Sequence, residues 1–334
     1  MFNKNKIIIV AEIGNNHEGS LRTAKSLIKE AKKCGVDAVK FQTFIPDLYV
    51  HKKDKKSFKQ LKKFQLSFDD FEKLALFAKK LKITFFSTPF DLKSASFLNK
   101  IQKVFKISSG DNNFIPLINH IAKFNKPIIL STGLSDIQMI RKSKNIIFNV
   151  WKKNSNNRKK LIIMHCVSSY PTESKEANLL AIKTLVKNFK DCIIGYSDHT
   201  KNILSAITSV SLGAKVIERH FTLSKNFSRF RDHKISSDPK EMKQLVDSVR
   251  FVEKAMGTGK KKLQQSEKKI INFVRRGAVA NVNISKGKKI RKNNIRWVRV
   301  KNGIKINDER KILGKILKRN VKKDQVFKFS YFKN

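Results

Sequence analysis

The feature that most restricts the fold is a cadence. A short apolar run, a polar segment and an amphipathic helix recur along most of the chain. The apolar runs fall at 7–11, 38–41, 83–86, 104–107, 127–130, 161–164, 192–195 and 215–217. Helix signals stand between them. Ser20 can cap a helix with the stripe Leu21, Ala24, Leu27, Ile28 and Ala31. Ser67 and Asp70 open another with Phe71, Leu74, Ala78 and Leu81 on one face. Asp238 followed by Pro239 begins a third, striped by Met242, Leu245, Val246, Val249 and Val252. Residues 43–66 read as a long basic loop and 152–160 as a solvated polar insertion. Eight strand–helix units joined by right-handed crossovers close into an eight-stranded β/α (TIM) barrel. A doubly wound open sheet is disfavoured, because no Gly-x-Gly-x-x-Gly loop follows the first run.

The barrel accounts for a second pattern. Glu12, Lys40, Gln42, Thr88, Lys106, Ser109, Ser131, His165, Ser168, Ser197, Asp198, His199, Glu218 and His220 all fall at or near the C-terminal ends of the apolar runs. That end is the catalytic face of such barrels. Two of the runs, about twenty residues apart, each lead into a histidine, His199 and His220. Neutral imidazoles on neighbouring strand ends can share a divalent metal ion, whereas either histidine alone reads as an ordinary core or surface residue. Lys40 and Lys106 stand within apolar strands beside the hydroxyls of Thr88, Ser109 and Ser131. Burying them unpaired is costly, so an anion, phosphate or carboxylate, is the expected partner. Glu12, Asp111, Asp198 and Glu218 could bind ligands or move protons. An anion pocket beside a Lewis acid fits the joining of a phosphorylated nucleophile to a carbonyl. It equally fits phosphate-ester hydrolysis or sugar-phosphate isomerisation, and the residue chemistry leaves these open.

Boundaries follow from composition. Residues 1–256 form the barrel, 257–270 a Gly- and Lys-rich linker, and 271–334 a small β-rich domain with alternating apolar residues and tight turns. The formal charge of +47 raises nucleic-acid or anionic-membrane binding. The basic residues are scattered, and the abundance of Lys, Asn, Ile and Phe matches an AT-rich coding bias, so no specific nucleic-acid partner is expected. No apolar run is long enough to cross a membrane, and the leading apolar segment is too short for a signal peptide. Cys34, Cys166 and Cys192 lack metal or disulfide spacing and read as reduced thiols of a cytoplasmic protein.

Several segments together carry a resemblance. Val10 to Gly19 (VAEIGNNHEG), Val39 to Thr43 (VKFQT), Ser87 to Phe90 (STPF), Lys106 to Gly110 (KISSG) and Leu130 to Gly133 (LSTG) form its first half. His165 to Thr172 (HCVSSYPT), Gly195 to Thr200 (GYSDHT) and Glu218 to Thr222 (ERHFT) complete it. In this order they resemble the sialic acid synthases, including the legionaminic and pseudaminic acid synthases, whose tail is an antifreeze-like (SAF) domain. The resemblance covers nearly the whole chain. It implies an enzyme that condenses phosphoenolpyruvate with an open-chain N-acetylated amino sugar, by default N-acetylmannosamine, to a nine-carbon 2-keto acid and phosphate. Lys40, Thr88, Lys106, Ser109, Ser131, Ser168 and Ser197 would hold phosphoenolpyruvate. His199 and His220 would bind manganese, with magnesium or cobalt as substitutes. Glu12, Asp111, Tyr170 and Glu218 would serve catalysis, and Asp232 and Arg276 the sugar. It also implies a domain-swapped homodimer in which Arg276 reaches the partner's sugar, and a product destined for cell-surface polysaccharide. Three departures leave the sugar open: Asp111 where the family often has glutamate, Ser168 where some members have asparagine, and Phe230-Arg231-Asp232-His233 in place of a Gly-Pro-Asp segment. Other readings are a metal-dependent sugar-phosphate hydrolase or isomerase, and a carbohydrate- or nucleic-acid-binding relative without catalysis.

Overall fold

A computed structural model describes residues 6–154 and 160–333. The greater part of the polar insertion read at 152–160, residues 155–159, lies outside the described residues. The chain divides into two compact units, Met1–Gly257 and Thr258–Asn334.

The first unit is the expected barrel. Its strands are β1 (Ile8–Gly14), β2 (Ala38–Thr43), β3 (Thr84–Pro89), β4 (Phe105–Ile107), β5 (Ile128–Ser131), β6 (Leu161–His165), β7 (Ile193–Asp198) and β8 (Val216–His220). All pair in parallel in the order β3-β2-β1-β8-β7-β6-β5-β4, and β3 and β4 lie side by side to nearly close the ring. Most strands run one to three residues further than their apolar stretches. The polar motifs are therefore the last turns of the pleat rather than loops, and their side chains obey its alternation.

That alternation builds two cores. Outward residues pack under the helices, where Phe41, Phe105, Ile163 and Ile217 are fully buried. Inward residues at the bottom, among them Ile8, Val10, Ala38, Phe86, Val104, Ile129, Ile162 and Val216, fill the barrel. Gly195 also takes an inward position, and a Cβ there would come within 2.7 Å of the Val216 carbonyl oxygen. One step higher the inward residue changes type: Val10 gives way to Glu12, Ala38 to Lys40, Phe86 to Thr88, Val104 to Lys106, Ile129 to Ser131 and Val216 to Glu218. The floor is thus apolar and the top polar.

The capped helices form where read. Ser20 caps Leu21–Cys34, Ser67 and Asp70 make a reciprocal capping box on Phe68–Lys80, and Asp238 caps Pro239–Ala255. The loop expected at 43–66 is instead structured. It holds Pro46–Tyr49, with Pro46 in the first turn, and Lys55–Phe64, capped by Asp54, whose carboxylate accepts the Ser57 N–H. No described helix is long and apolar enough to cross a membrane.

In the second unit, the linker read at 257–270 carries a short helix at Gln265–Lys268, and another, Ile271–Val274, opens the segment read as β-rich. Beyond them β9 (Arg276–Ala280) pairs antiparallel with β10 (Ile295–Arg299). Isolated bridges and 3-10 turns surround a core of Ala278, Ile290, Ile312, Leu317 and Phe327.

Candidate active site

The polar top of the barrel opens into a cavity of about 470 Å³. At its centre are four buried charges. Lys106 Nζ donates to both oxygens of Glu218, at 2.8 and 2.9 Å. Lys40 Nζ lies 2.9 Å from Glu12 Oε2 and 3.7 Å from Glu218 Oε2, and donates to Thr88 Oγ1 at 3.2 Å. Ser197 Oγ donates to Glu218 Oε1 at 3.0 Å, and Gln42 Nε2 to Glu12 Oε1 at 3.2 Å. All four charged side chains are at most 6% exposed. Lys40 and Lys106 therefore do not need an external anion as partner, contrary to expectation: the protein supplies two carboxylates of its own.

Burial opposes ionisation of both acids, with different outcomes. It lifts Glu12 to about 7, although Lys40 pulls the other way. In Glu218 the same penalty is outweighed by Lys106 and Lys40, which hold the carboxylate down at about 2. Burial also lowers Lys106, while the two carboxylates beside Lys40 overcome its burial and raise it.

On the β4–β6 side the cavity is lined with hydroxyls. Gly133 N–H donates to Ser109 Oγ at 3.1 Å, and Ser168 Oγ is buried with no hydrogen-bond partner among the described residues. A Cβ on Gly133 would stand 2.3 Å from Ser168 Oγ and 2.8 Å from Ser109 Oγ, so both hydroxyls depend on a bare backbone there. Ser131 is buried on the same wall, and Asn112, lodged behind, donates to its carbonyl and to that of Gly133. Asp111 stands at the rim, accepting from Ser108 Oγ at 2.6 Å, its pKa raised by burial.

On the β7–β8 side stand the histidines, with ring centroids 5.6 Å apart. His199 uses Nδ1 on the Val167 carbonyl, at 2.7 Å, which leaves Nε2 with its lone pair. His220 Nδ1 is buried without a hydrogen-bond partner among the described residues. Burial, aided for His199 by His220 and for His220 by Lys40, lowers them to about 4 and about 3. Both imidazoles are neutral at pH 7, the form that binds a metal. Among the described residues no group of three or more His, Cys, Asp or Glu is arranged to hold an ion. Two neutral imidazoles are thus the nitrogen donors this wall offers to a divalent ion, one fewer than the three protein ligands usual at a catalytic zinc site. Tyr170 packs on His199 at 4.2 Å, with the Arg231 guanidinium over its outer face at 5.0 Å. Asp232, also in the wall, is 3.3 Å from Arg231 Nε and raised by burial.

Two strand-end residues turn away. Asp198 points outward between Ser197 and His199, and its Oδ2 takes Arg219 Nη1 at 2.6 Å. Tyr196, Thr200 and Ser237 complete that buried network. His165 also faces outward, bonding the Ala177 carbonyl and stacking on Tyr196. Neither can bind a ligand in the cavity. The pleat decides this, since each lies one residue from an inward neighbour. Arg276 belongs to the second unit, where it opens β9 and donates to the Trp297 carbonyl at 3.2 Å.

The sequence reading missed part of the rim. Tyr49 and Leu61, from the short helices before β3, Leu134 after β5, and Phe90 join Phe230 in the cavity lining. Pro46 as a helix-opening residue and Asp54 as a cap were the available signals for the first two.

The NeuB family pattern matches residues 27–261, and the SAF domain pattern residues 275–332. An N,N'-diacetyllegionaminic acid synthase of Campylobacter jejuni is 42% identical, the alignment covering 97% of this chain and 99% of that protein. An N,N'-diacetyllegionaminic acid synthase of Legionella pneumophila is 37% identical, with 94% and 91% covered. The crystal structure of an N-acetylneuraminic acid (sialic acid) synthetase from Leptospira borgpetersenii, in complex with citrate, superposes with a TM-score of 0.74. It is 34% identical, and 80% of this chain and 90% of that chain are covered.

Proposed function

We propose, because this chain belongs to the NeuB family, that it is a nonulosonic acid synthase joining phosphoenolpyruvate to the aldehyde of an open-chain N-acetylated amino sugar. The observation that carries the reading is the buried set Lys40, Lys106, Glu12 and Glu218 set beside two neutral histidines on one barrel face. Lys40 and Lys106 supply charge for the phosphate and carboxylate. Thr88, Ser109, Ser131, Ser168 and Ser197 supply neutral donors around them. The His199–His220 pair is offered to manganese, or to magnesium or cobalt, and the ion would act as a Lewis acid on the sugar aldehyde.

The remaining chemistry belongs to the chain. The enol carbon of phosphoenolpyruvate bonds to the aldehyde carbon, and the aldehyde oxygen takes up a proton. Water then adds at the carbon bearing the phosphate ester, the bond from that carbon to the ester oxygen breaks, and phosphate leaves. Glu12, poised near neutrality by burial, suits the proton transfers. Glu218 orients the two lysines, Tyr170 buttresses His199, and Asp111 and Asp232 face the sugar hydroxyls from the rim. The names of the two legionaminic relatives support a diacetamido-trideoxy acceptor over N-acetylmannosamine. We place the reaction in the cytoplasm. We assign the SAF domain to covering a partner's barrel in a homodimer, with Arg276 on the partner's sugar.

The test is phosphate release from phosphoenolpyruvate and manganese with a diacetamido-trideoxy sugar, with N-acetylmannosamine and with no sugar. Release that requires a sugar is expected, fastest with the diacetamido acceptor. Release without phosphoenolpyruvate from a sugar phosphate would replace the reading with a hydrolase.

A further inference from the structure

Leu134 is placed against its own preferences. It is 73% exposed, and its φ is +60°, in the left-handed region that disfavours a side chain by roughly 1–2 kcal/mol. Neither packing nor backbone favours leucine there, and glycine or asparagine would serve the turn better. The residue follows Gly133, whose bare backbone spaces Ser109 and Ser168, and it lines the same cavity. Backbone strain of this kind clusters at ligand clamps, where the strained side chain has a functional contact.

Its companions on the rim have the same character. The Tyr49 ring lies 4.5 Å from that of Phe90, and both pack with Phe44. Phe230 is braced edge-on by Phe64 at 4.9 Å. The Arg231 cation nearby is already engaged by Asp232 and by the Tyr170 face. The cavity wall thus adds apolar side chains, Phe90, Leu134 and Phe230, to the polar Asp111, Arg231 and Asp232. The acceptor aldehyde must meet phosphoenolpyruvate at depth, so the opposite end of the sugar chain lies at the mouth. The Leu134 side chain offers van der Waals contact to a terminal methyl and no hydrogen bond to a terminal hydroxyl.

We propose that Leu134, which lines the same cavity as Tyr49, Phe90 and Phe230, is a specificity-determining residue that grips the deoxy end of the acceptor. This rests on the synthase reading above. The test compares wild type, Leu134→Gly and Leu134→Asn in phosphate release. The acceptors are a 6-deoxy diacetamido sugar and N-acetylmannosamine, whose terminal carbon bears a hydroxyl. Thermal stability and oligomeric state are followed in parallel. One lost apolar contact is worth roughly tenfold or more. Both variants should raise KM for the deoxy acceptor about tenfold and narrow its advantage over the hydroxylated one. The phosphoenolpyruvate KM should hold, and Tm should hold or rise as the strain is relieved. Unchanged acceptor constants in an active enzyme would overturn the inference while the synthase reading stands. A changed oligomeric state with acceptor constants unmoved would overturn it too, making Leu134 an interface residue. Wild type that releases no phosphate with any sugar would remove the reading and the inference together.

Discussion

Lys106 spans the barrel from β4 to β8 and meets Glu218 with both carboxylate oxygens within 2.9 Å, wholly out of solvent. Such a pair is costly to break from one side, because the surviving Glu218 is a buried charge left with only Lys40 at 3.7 Å and the Ser197 hydroxyl. Lys106→Ala should therefore lower stability by about 3–5 kcal/mol, raise the Glu218 pKa and weaken phosphoenolpyruvate binding. Denaturant midpoints and the phosphoenolpyruvate KM measure this. Wild-type values for both would remove Lys106 from the anion pocket.

The histidines make a prediction independent of turnover. His199→Ala and His220→Ala should each lose manganese binding in calorimetry and, with it, metal-dependent phosphate release. Chelation of the wild type should abolish release, and added manganese should restore it. Full activity in both variants would sink the metal assignment.

Gly133→Ala adds only a methyl group, yet it must displace Ser168 Oγ at 2.3 Å and Ser109 Oγ at 2.8 Å. Losing one or two hydrogen bonds to an anion is worth roughly 1.5–3 kcal/mol each. A rise of an order of magnitude or more in the phosphoenolpyruvate KM is expected, with the manganese affinity held. An unaltered KM would mean that these hydroxyls do not touch the substrate.

His17 gives the acid limb of stability a definite window. It is buried, accepts the Gly19 N–H on Nδ1, and is lowered by burial to about 4 from its ordinary 6.5. The unfolded chain takes up this proton near pH 6.5, and the folded chain refuses it until about 4. Stability is thus fully present above 6.5 and falls as pH drops towards 4, by about 3 kcal/mol for this residue alone. His17→Gln should show a shallower fall over that window in pH-resolved denaturant titrations. An identical slope would mean that His17 does not carry this share.

Arg219 and Asp198, one residue away from His220 and from both Ser197 and His199, tie β8 to β7 behind the cavity. Arg219→Ala and Asp198→Ala should each cost about 3–5 kcal/mol, and the double variant clearly less than their sum. Additive losses would show that the pair is not coupled.

Much of this was legible in the sequence because one rule, the period of two, acts on every strand. It put Glu12, Lys40, Thr88, Lys106, Ser131 and Glu218 at one end of the barrel, and there they are found lining one cavity. The same rule, applied residue by residue, would have turned Asp198 and His165 outward; reading the motifs as loops hid it. The partners of the two lysines were not legible. Glu12 meets Lys40 only through the register of β1 on β2, and Glu218 reaches Lys106 only because the ring brings β8 opposite β4. The rim was obscured for another reason. Residues 43–66 are so rich in lysine that charge masked the helix signals carrying Tyr49 and Leu61.

The internally paired quartet has a consequence for how an anion enters. The lysines already hold their own counter-ions, as a loaded exchange resin does, so an anionic substrate would enter by exchange. If, as proposed, phosphate and carboxylate bind at Lys40 and Lys106, Glu12 and Glu218 come to lie beside negative charge, and their proton affinity rises. The incoming anion thus draws a proton in with it. The heat of binding then varies with the ionisation enthalpy of the buffer, and the site loads an acid in the same act that seats its nucleophile.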